Sequence, residues 1–130
     1  MEVNAKARFV RMSPRKVRLV IDVIRGMDIA RAKDQLRFMK KAAAGPVMKL
    51  LDSAVANAEH NFKLASDTLF VKAIAADGGP ALKRWTPKAF GRAAPIKKRM
   101  THISIVLASR EAHDGKATKK RSKKAATKSA

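Results

Sequence analysis

The sequence predicts an α+β fold, in which a small antiparallel sheet packs against three helices and carries a long extended basic β-hairpin and a flexible C-terminal tail. Three observations predict it. Stretches with strand character lie near the start of the chain and in its second half. Three stretches with helical apolar spacing lie between them. The last two strands are separated by a long connection that is strongly basic.

Size and charge limit the possible functions. The chain has 130 residues, with 30 Lys or Arg against 10 Asp or Glu and a formal net charge of +20. This length suits one domain, which we expect to span residues 1–111, followed by a basic flexible tail at 112–130. The excess positive charge repels itself, and a polyanion relieves that cost. Nucleic acid is the commonest large polyanion, so the charge favours a nucleic-acid partner.

Several functional classes are excluded or disfavoured. The absence of cysteine excludes disulfides, zinc knuckles and thiol catalysis. His60, His102 and His113 show no metal-ligand spacing, and neither a phosphate-binding glycine loop nor a nucleophile elbow is present. We therefore expect no enzyme activity, no cofactor and no metal. No apolar stretch approaches membrane-spanning length, so we expect a soluble cytoplasmic protein without a membrane partner.

The first strand is predicted at residues 2–10. Val3, Ala5, Ala7 and Phe9 alternate with polar residues, which is typical of a strand with one buried side.

The first helix follows at once. Ser13 and Pro14 are typical of a helix start, because serine can accept from free N–H groups and proline suits the first helical position. The helix should run to about Arg25 and end at Gly26, which we expect in the left-handed conformation.

Two more helices complete the helical layer. Asp28 is the expected cap of a second, shorter helix. A third should follow the turn at Ala42–Gly45 and run to about Asn61. Its alanine content predicts close packing against a flat surface such as a sheet.

The remaining strands are predicted at Leu69–Ala76 and at residues 101–109, with the sequence Asp77–Pro80 ending the first of them. The connection between them should leave the sheet as an arm, turn and return, reaching roughly 30 Å beyond the domain. We expect Pro87 and Pro95 to interrupt pairing, so that the outer arm is irregular. Gly91 can supply a positive φ angle at the turn.

Residues 80–100 hold the most informative charge pattern. No acidic residue lies between Asp77 and Glu111. An isolated hairpin is unstable in water, so this arm requires an external scaffold, which its charge predicts to be a polyanion. Phe90, near the tip, is predicted to stack on a base or sugar. Trp85 could do the same or could pack back on the domain and brace the arm.

Three motifs resemble one known family. The sequences RMSPRKVRLVIDVIRG, LLDSAVANAEHN and DGGPALKRWTPKAFGRAAPIKKRMTHISIVL occur in the order and spacing of the ribosomal protein L twenty-two family of the large subunit, bacterial type. The resemblance covers residues 3–109. It implies an α+β domain that binds large-subunit ribosomal RNA beside neighbouring ribosomal proteins. It also implies a hairpin that reaches the wall of the nascent-peptide exit tunnel, with the nascent polypeptide near its tip.

Composition and resemblance together give the candidate RNA-binding residues. They lie around the first helix, at the end of the third helix, and along the arm: Arg8, Arg11, Ser13, Arg15, Lys16, Arg18, Asn57, His60, Asn61, Lys83, Arg84, Trp85, Pro87, Lys88, Phe90, Gly91, Arg92, Lys97, Lys98, Arg99 and His102.

For some of these residues, the sequence leaves a purely structural role open. Asn61 could cap the third helix instead, Asn57 could bond at the edge of the core, and His102 could be hydrogen-bonded at a strand start. A DNA-binding helix-turn-helix is a second possible function, but no amphipathic recognition helix presents a base-reading pattern. An RNA-modifying enzyme would need an acid–base or cofactor site that the sequence does not show.

Overall fold

The computed structural model describes residues 1–110 of the chain and confirms the predicted α+β class. A first strand is followed by three helices and then by two long strands. The elements are β1 (Glu2–Val10), α1 (Pro14–Ile24), α2 (Ile29–Phe38), α3 (Ala44–Phe62), β2 (Leu69–Pro87) and β3 (Ala93–Ser109). The basic tail predicted at 112–130 lies outside the described residues.

The sheet has three antiparallel strands in the order β1-β3-β2, so that β3 is central. The inner halves of β2 and β3 form the sheet, and their outer halves continue together as the two-stranded arm. The predicted hairpin is therefore confirmed as a direct extension of the sheet.

All three helices contribute to one core on one face of the sheet. The helix α3 packs on β1 and β3, and α1 packs on β2 and β3. This agrees with the alanine-rich face predicted for close packing. The largest fully buried side chains come from both layers: Ile21, Ile24, Leu51, Leu69, Ile103, Ile105 and Leu107.

The helix starts were predicted correctly, but the expected capping bonds are not formed. Ser13 and Asp28 occupy the N-cap positions of α1 and α2, and neither side chain bonds to its helix. The backbone carbonyl of Ser13 instead accepts from the N–H groups of Lys16 and Val17. The side chain of Asp28 pairs with Arg110 at 3.3 Å.

The prediction that Phe9 lies on the buried side of β1 was wrong. The register of β1 on β3 shifts between Ala7 and Val10, and Phe9 has a positive φ of 58°. Such a bulge reverses the alternation of side chains. Phe9 is therefore exposed, and Val10 packs against the core instead.

The prediction that Asp77–Pro80 ends the strand was also wrong. The strand β2 continues to Pro87, with a register shift between Gly78 and Ala81. Because Pro80 falls inside this bulge, its missing N–H costs no ladder bond.

The outer arm is more regular than predicted. Cα pairing continues through Trp85↔Pro95 to Pro87↔Ala93. In an arm of two strands, the N–H groups of alternate residues point outward, and a proline there removes no bond between the strands. The two prolines therefore do not interrupt the pairing.

Gly26 allows the cost of a positive φ angle to be tested by substitution. Its φ is +78°, as predicted, and its N–H donates to the carbonyl of Val71 at 2.9 Å. Open space surrounds the position of a Cβ atom there, so Gly26→Ala introduces only backbone strain. We expect this variant to lower the free energy of unfolding by about 1 kcal/mol in urea denaturation.

Gly45→Ala is the matched control for Gly26→Ala. Gly45 lies in α3 without a positive φ and also has open space around it, so alanine should raise stability by roughly 0.4–1 kcal/mol. Equal effects of the two variants would contradict the assignment of strain to Gly26.

Candidate nucleic-acid interface

Three segments that are distant in the sequence meet around one cleft of about 650 Å³. They are the start of α1 with the loop before it, the connection between α2 and α3, and the base of the returning arm strand. The lining residues are Arg11, Met12, Ser13, Lys16, Leu19, Lys41, Ala42, Ala43, Lys97, Lys98, Arg99 and Met100. We call this site the basic cleft.

A partly buried hydrogen bond joins two walls of the basic cleft. The hydroxyl of Thr101, which is fully buried, donates to the carbonyl of Met12 at 2.6 Å. The N–H of Met12 donates in turn to the carbonyl of Val10 at 2.8 Å. These bonds hold the loop before α1 against the base of the arm, so the cations on both segments face the same space.

In the part of the chain that the structure describes, the lining of the basic cleft carries six cations and no acidic residue. Among residues 1–110, none of the six side chains forms an ion pair. Five of them were predicted from the sequence: Arg11, Lys16, Lys97, Lys98 and Arg99. Lys41 was missed, because its only sequence signal is the adjacent Lys40 in a short connection. Concentrated positive charge without partners is suited to a polyanion.

The remaining predicted cations of α1 have different surroundings. Arg15 is exposed and makes no ion pair within the described part of the chain. The guanidinium of Arg18 is held against the sheet, where its Nε and Nη2 groups donate to the carbonyl of Ala76 at 3.2 and 3.0 Å. Arg25 likewise donates to the carbonyl of Ile74 at 3.2 Å. Arg18 is therefore less free than Arg15 to meet a phosphate.

The arm exposes its predicted RNA-binding side chains to solvent. No residue from 77 to 100 is buried, and all seven arm cations are exposed. Trp85 is 69% exposed, so it does not brace the arm against the domain. Phe90, at the tip, is 99% exposed. Such aromatic faces are available for stacking on bases or sugars.

The tip of the arm is a tight turn. The N–H of Lys88 donates to the carbonyl of Arg92 at 2.7 Å. Gly91 has the predicted positive φ, at 67°, and Phe90 also has one, at 57°. Left-handed backbone at a bulky aromatic residue is unusual, and here it occurs at a residue whose ring is almost fully exposed.

His102, a residue of β3, lies opposite the bulge of β1. Its Nδ1 atom accepts from the N–H of Phe9 at 3.0 Å, and the two rings meet edge to face at 4.8 Å. Arg8 lies over the Phe9 ring, 5.4 Å from its centroid. Because Nδ1 accepts, a neutral His102 carries its proton on Nε2. The ring is therefore bonded at its strand and still has a donor for a further partner.

The predicted residues near the end of α3 do not line the basic cleft. Asn57 is half-buried, and His60 and Asn61 are exposed. Asn61 does not cap the helix, which continues to Phe62 and ends at Lys63 in the left-handed conformation. The N–H of Lys63 donates to the carbonyl of Glu59, and the N–H of Leu64 donates to the carbonyl of Ala58, both at 3.2 Å.

The described residues show neither a metal-binding group nor a membrane-spanning helix. Within residues 1–110, no group of three or more His, Asp or Glu side chains could hold a metal ion. None of the helices in this range combines the length and the apolar character needed to span a membrane.

Comparison with known proteins identifies the family. The family model described as ribosomal protein L22p/L17e matches residues 5–108. A relative from Chloroflexus aggregans, named large ribosomal subunit protein uL22, is 54% identical over 108 residues, covering 83% of this chain and 96% of the relative. Relatives with the same name from Deinococcus radiodurans and Thermus thermophilus are 56% and 53% identical. They cover 80% and 82% of this chain, and 78% and 95% of their own lengths. The matched region includes most of β1, all three helices and the whole arm, and on this basis the chain belongs to the ribosomal protein L22p/L17e family.

Proposed function

We propose that this protein is a structural constituent of the large ribosomal subunit, in the cytoplasm, that binds large-subunit ribosomal RNA and aids its assembly. Relatives that are 54% and 56% identical to it over 83% and 80% of its length are named as proteins of that subunit. Members of this family are structural components and not catalysts. The observation that carries the RNA-binding proposal is the basic cleft, whose six cations have no ion-pair partner within residues 1–110 and continue into the cations of the arm.

The proposed mechanism is charge neutralisation combined with fixed shape. The folded domain presents the basic cleft to the RNA backbone, and phosphate groups release counterions as they meet its cations. The paired arm extends about 30 Å from the bulge at Gly78 to the turn, and RNA helices on both sides can contact its exposed side chains. Other ribosomal proteins are the expected neighbours of the remaining surface.

The first test measures the salt dependence of RNA binding. A variant with Arg11→Ala, Lys16→Ala and Lys98→Ala loses three cations of the basic cleft. The slope of log K against log salt concentration should become shallower by about 2 to 2.7 units, since each phosphate contact contributes roughly 0.7 to 0.9. Filter binding of full-length large-subunit ribosomal RNA gives the slope.

A variant with Arg31→Ala, Arg37→Ala and Lys49→Ala is the matched control, because it loses the same charge from exposed positions outside the basic cleft. If both variants lower the slope equally, binding depends on net charge and not on the cleft. Duplex DNA at the same salt concentrations tests the alternative function. Tighter binding of the DNA than of the RNA would overturn the proposal.

We also propose that the arm lines the exit tunnel, with its tip beside the nascent polypeptide. The support is the family resemblance together with the nearly complete exposure of Phe90 at the end of the arm. A photoreactive amino acid at position 90 should crosslink to nascent chains in translating ribosomes. The same group at position 23, on the exposed face of α1, should not. Equal crosslinking from both positions would contradict the tunnel assignment.

A further inference from the structure

The basic cleft has an apolar lining that phosphate binding alone does not explain. Met12, Leu19, Ala42, Ala43 and Met100 lie among its six cations. Leu19 is 62% exposed although it belongs to an amphipathic helix with a fully buried face. A paired RNA helix presents phosphates and ribose to a protein, and its bases are stacked inside. Such a helix would use the cations and leave the apolar lining in water.

An unstacked nucleotide can contact both the cations and the apolar side chains of the lining. Its phosphate can be reached by flexible cations such as Lys16 and Lys98, and the planar face of its base can cover apolar side chains. The thioethers of Met12 and Met100 are suited to this contact, because sulfur is polarisable and packs favourably against aromatic rings. The cleft volume of about 650 Å³ lies within the range typical of small-molecule sites.

We propose that the basic cleft is a site for a single looped-out nucleotide of the ribosomal RNA, whose base lies on Met12, Leu19 and Met100 while the surrounding cations hold its phosphates. This inference rests on the proposed RNA-binding function and adds the class of ligand. Among the described residues, Ser13 is the one neutral polar side chain in the lining. Recognition therefore depends more on whether the base is unstacked than on which base it is.

The test uses the full-length protein labelled at its methionine methyl groups. The two probes are a short RNA hairpin with one bulged adenosine and the same hairpin without that nucleotide. The bulged hairpin should bind about five- to tenfold more tightly. The aromatic ring of its base should shift the methyl resonances of Met12 and Met100. Those of Met27 and Met48, which do not line the cleft, should stay in place.

A pair of variants assigns the effect to the cleft. Leu19→Ser should abolish the preference for the bulged hairpin without changing the salt slope, because no cation is lost. Val23→Ser is the control, since Val23 is another exposed apolar residue of α1 and does not line the cleft. The preference should survive in that variant.

The possible outcomes separate this inference from the proposed function. Equal affinity for the two hairpins with unmoved Met12 and Met100 methyl groups would overturn the nucleotide site and leave RNA binding intact. The same methyl shifts with hexaglutamate would overturn it too, because the cleft would then accept any flexible anion. If the protein binds neither hairpin and also fails to bind full-length ribosomal RNA, the proposed function itself is refuted.

Discussion

Replacing residues 83–97 by an Asn-Gly turn should weaken binding to ribosomal RNA about a thousandfold at about 0.1 M salt while leaving the domain folded. The replacement joins Leu82 to Lys98, which are paired across the arm, by a turn suited to two-residue hairpins. It removes five cations: Lys83, Arg84, Lys88, Arg92 and Lys97. The slope of log K against log salt should therefore become shallower by about 3.5 to 4.5 units. Because no removed side chain is buried, the free energy of unfolding should change by less than about 0.5 kcal/mol.

An arm of full length, with glutamine at the same five positions, separates charge from shape. If the arm acts through its charge, this variant should lose as much salt dependence as the shortened one. The shortened protein should still enter large subunits, since the cations at the start of α1 remain. Unchanged affinity of the shortened protein for ribosomal RNA would show that the arm does not contact it.

The second large effect concerns the core. Leu51 lies in the middle of α3 and is fully buried, so Leu51→Ala should lower the free energy of unfolding by about 2–5 kcal/mol. The loss combines the removed apolar contact with the cavity that remains. Urea denaturation followed by circular dichroism measures it.

Leu19→Ala is the control for this prediction, because the same atoms are removed from a side chain that is 62% exposed. It should change the free energy of unfolding by less than about 0.5 kcal/mol. A similar loss from both variants would contradict the position of the core between α3 and the sheet.

Periodicity and composition were sufficient to predict most of the fold. Apolar spacing located the three helices to within a few residues, and Gly26 marked the end of the first. The bulge at Phe9 could not be predicted, because alternation in a single strand does not show where the partner strand shifts register. The continuation of β2 past Pro80 was missed for a similar reason, since the cost of a proline depends on where its missing N–H would have pointed.

The candidate site was harder to predict than the fold. The cations of the arm and of the start of α1 were each visible as local clusters in the sequence. Their meeting in one cleft depends on tertiary contacts, such as the bond from Thr101 to Met12. Lys41 has no local pattern that distinguishes it from other surface lysines. The bonds of Arg18 to the sheet could not be foreseen either, because helical spacing places a side chain on a face and does not show its partner.

The bonds from Arg18 and Arg25 to β2 have a consequence for the free protein. The strand β2 lies at an edge of the sheet, and free backbone groups at a sheet edge invite another chain to add a strand and start aggregation. The two guanidinium groups occupy the carbonyls of Ala76 and Ile74, and Gly26 occupies that of Val71. A newly synthesised copy awaiting assembly thus has this edge covered by its own positively charged helix, which also repels a second copy.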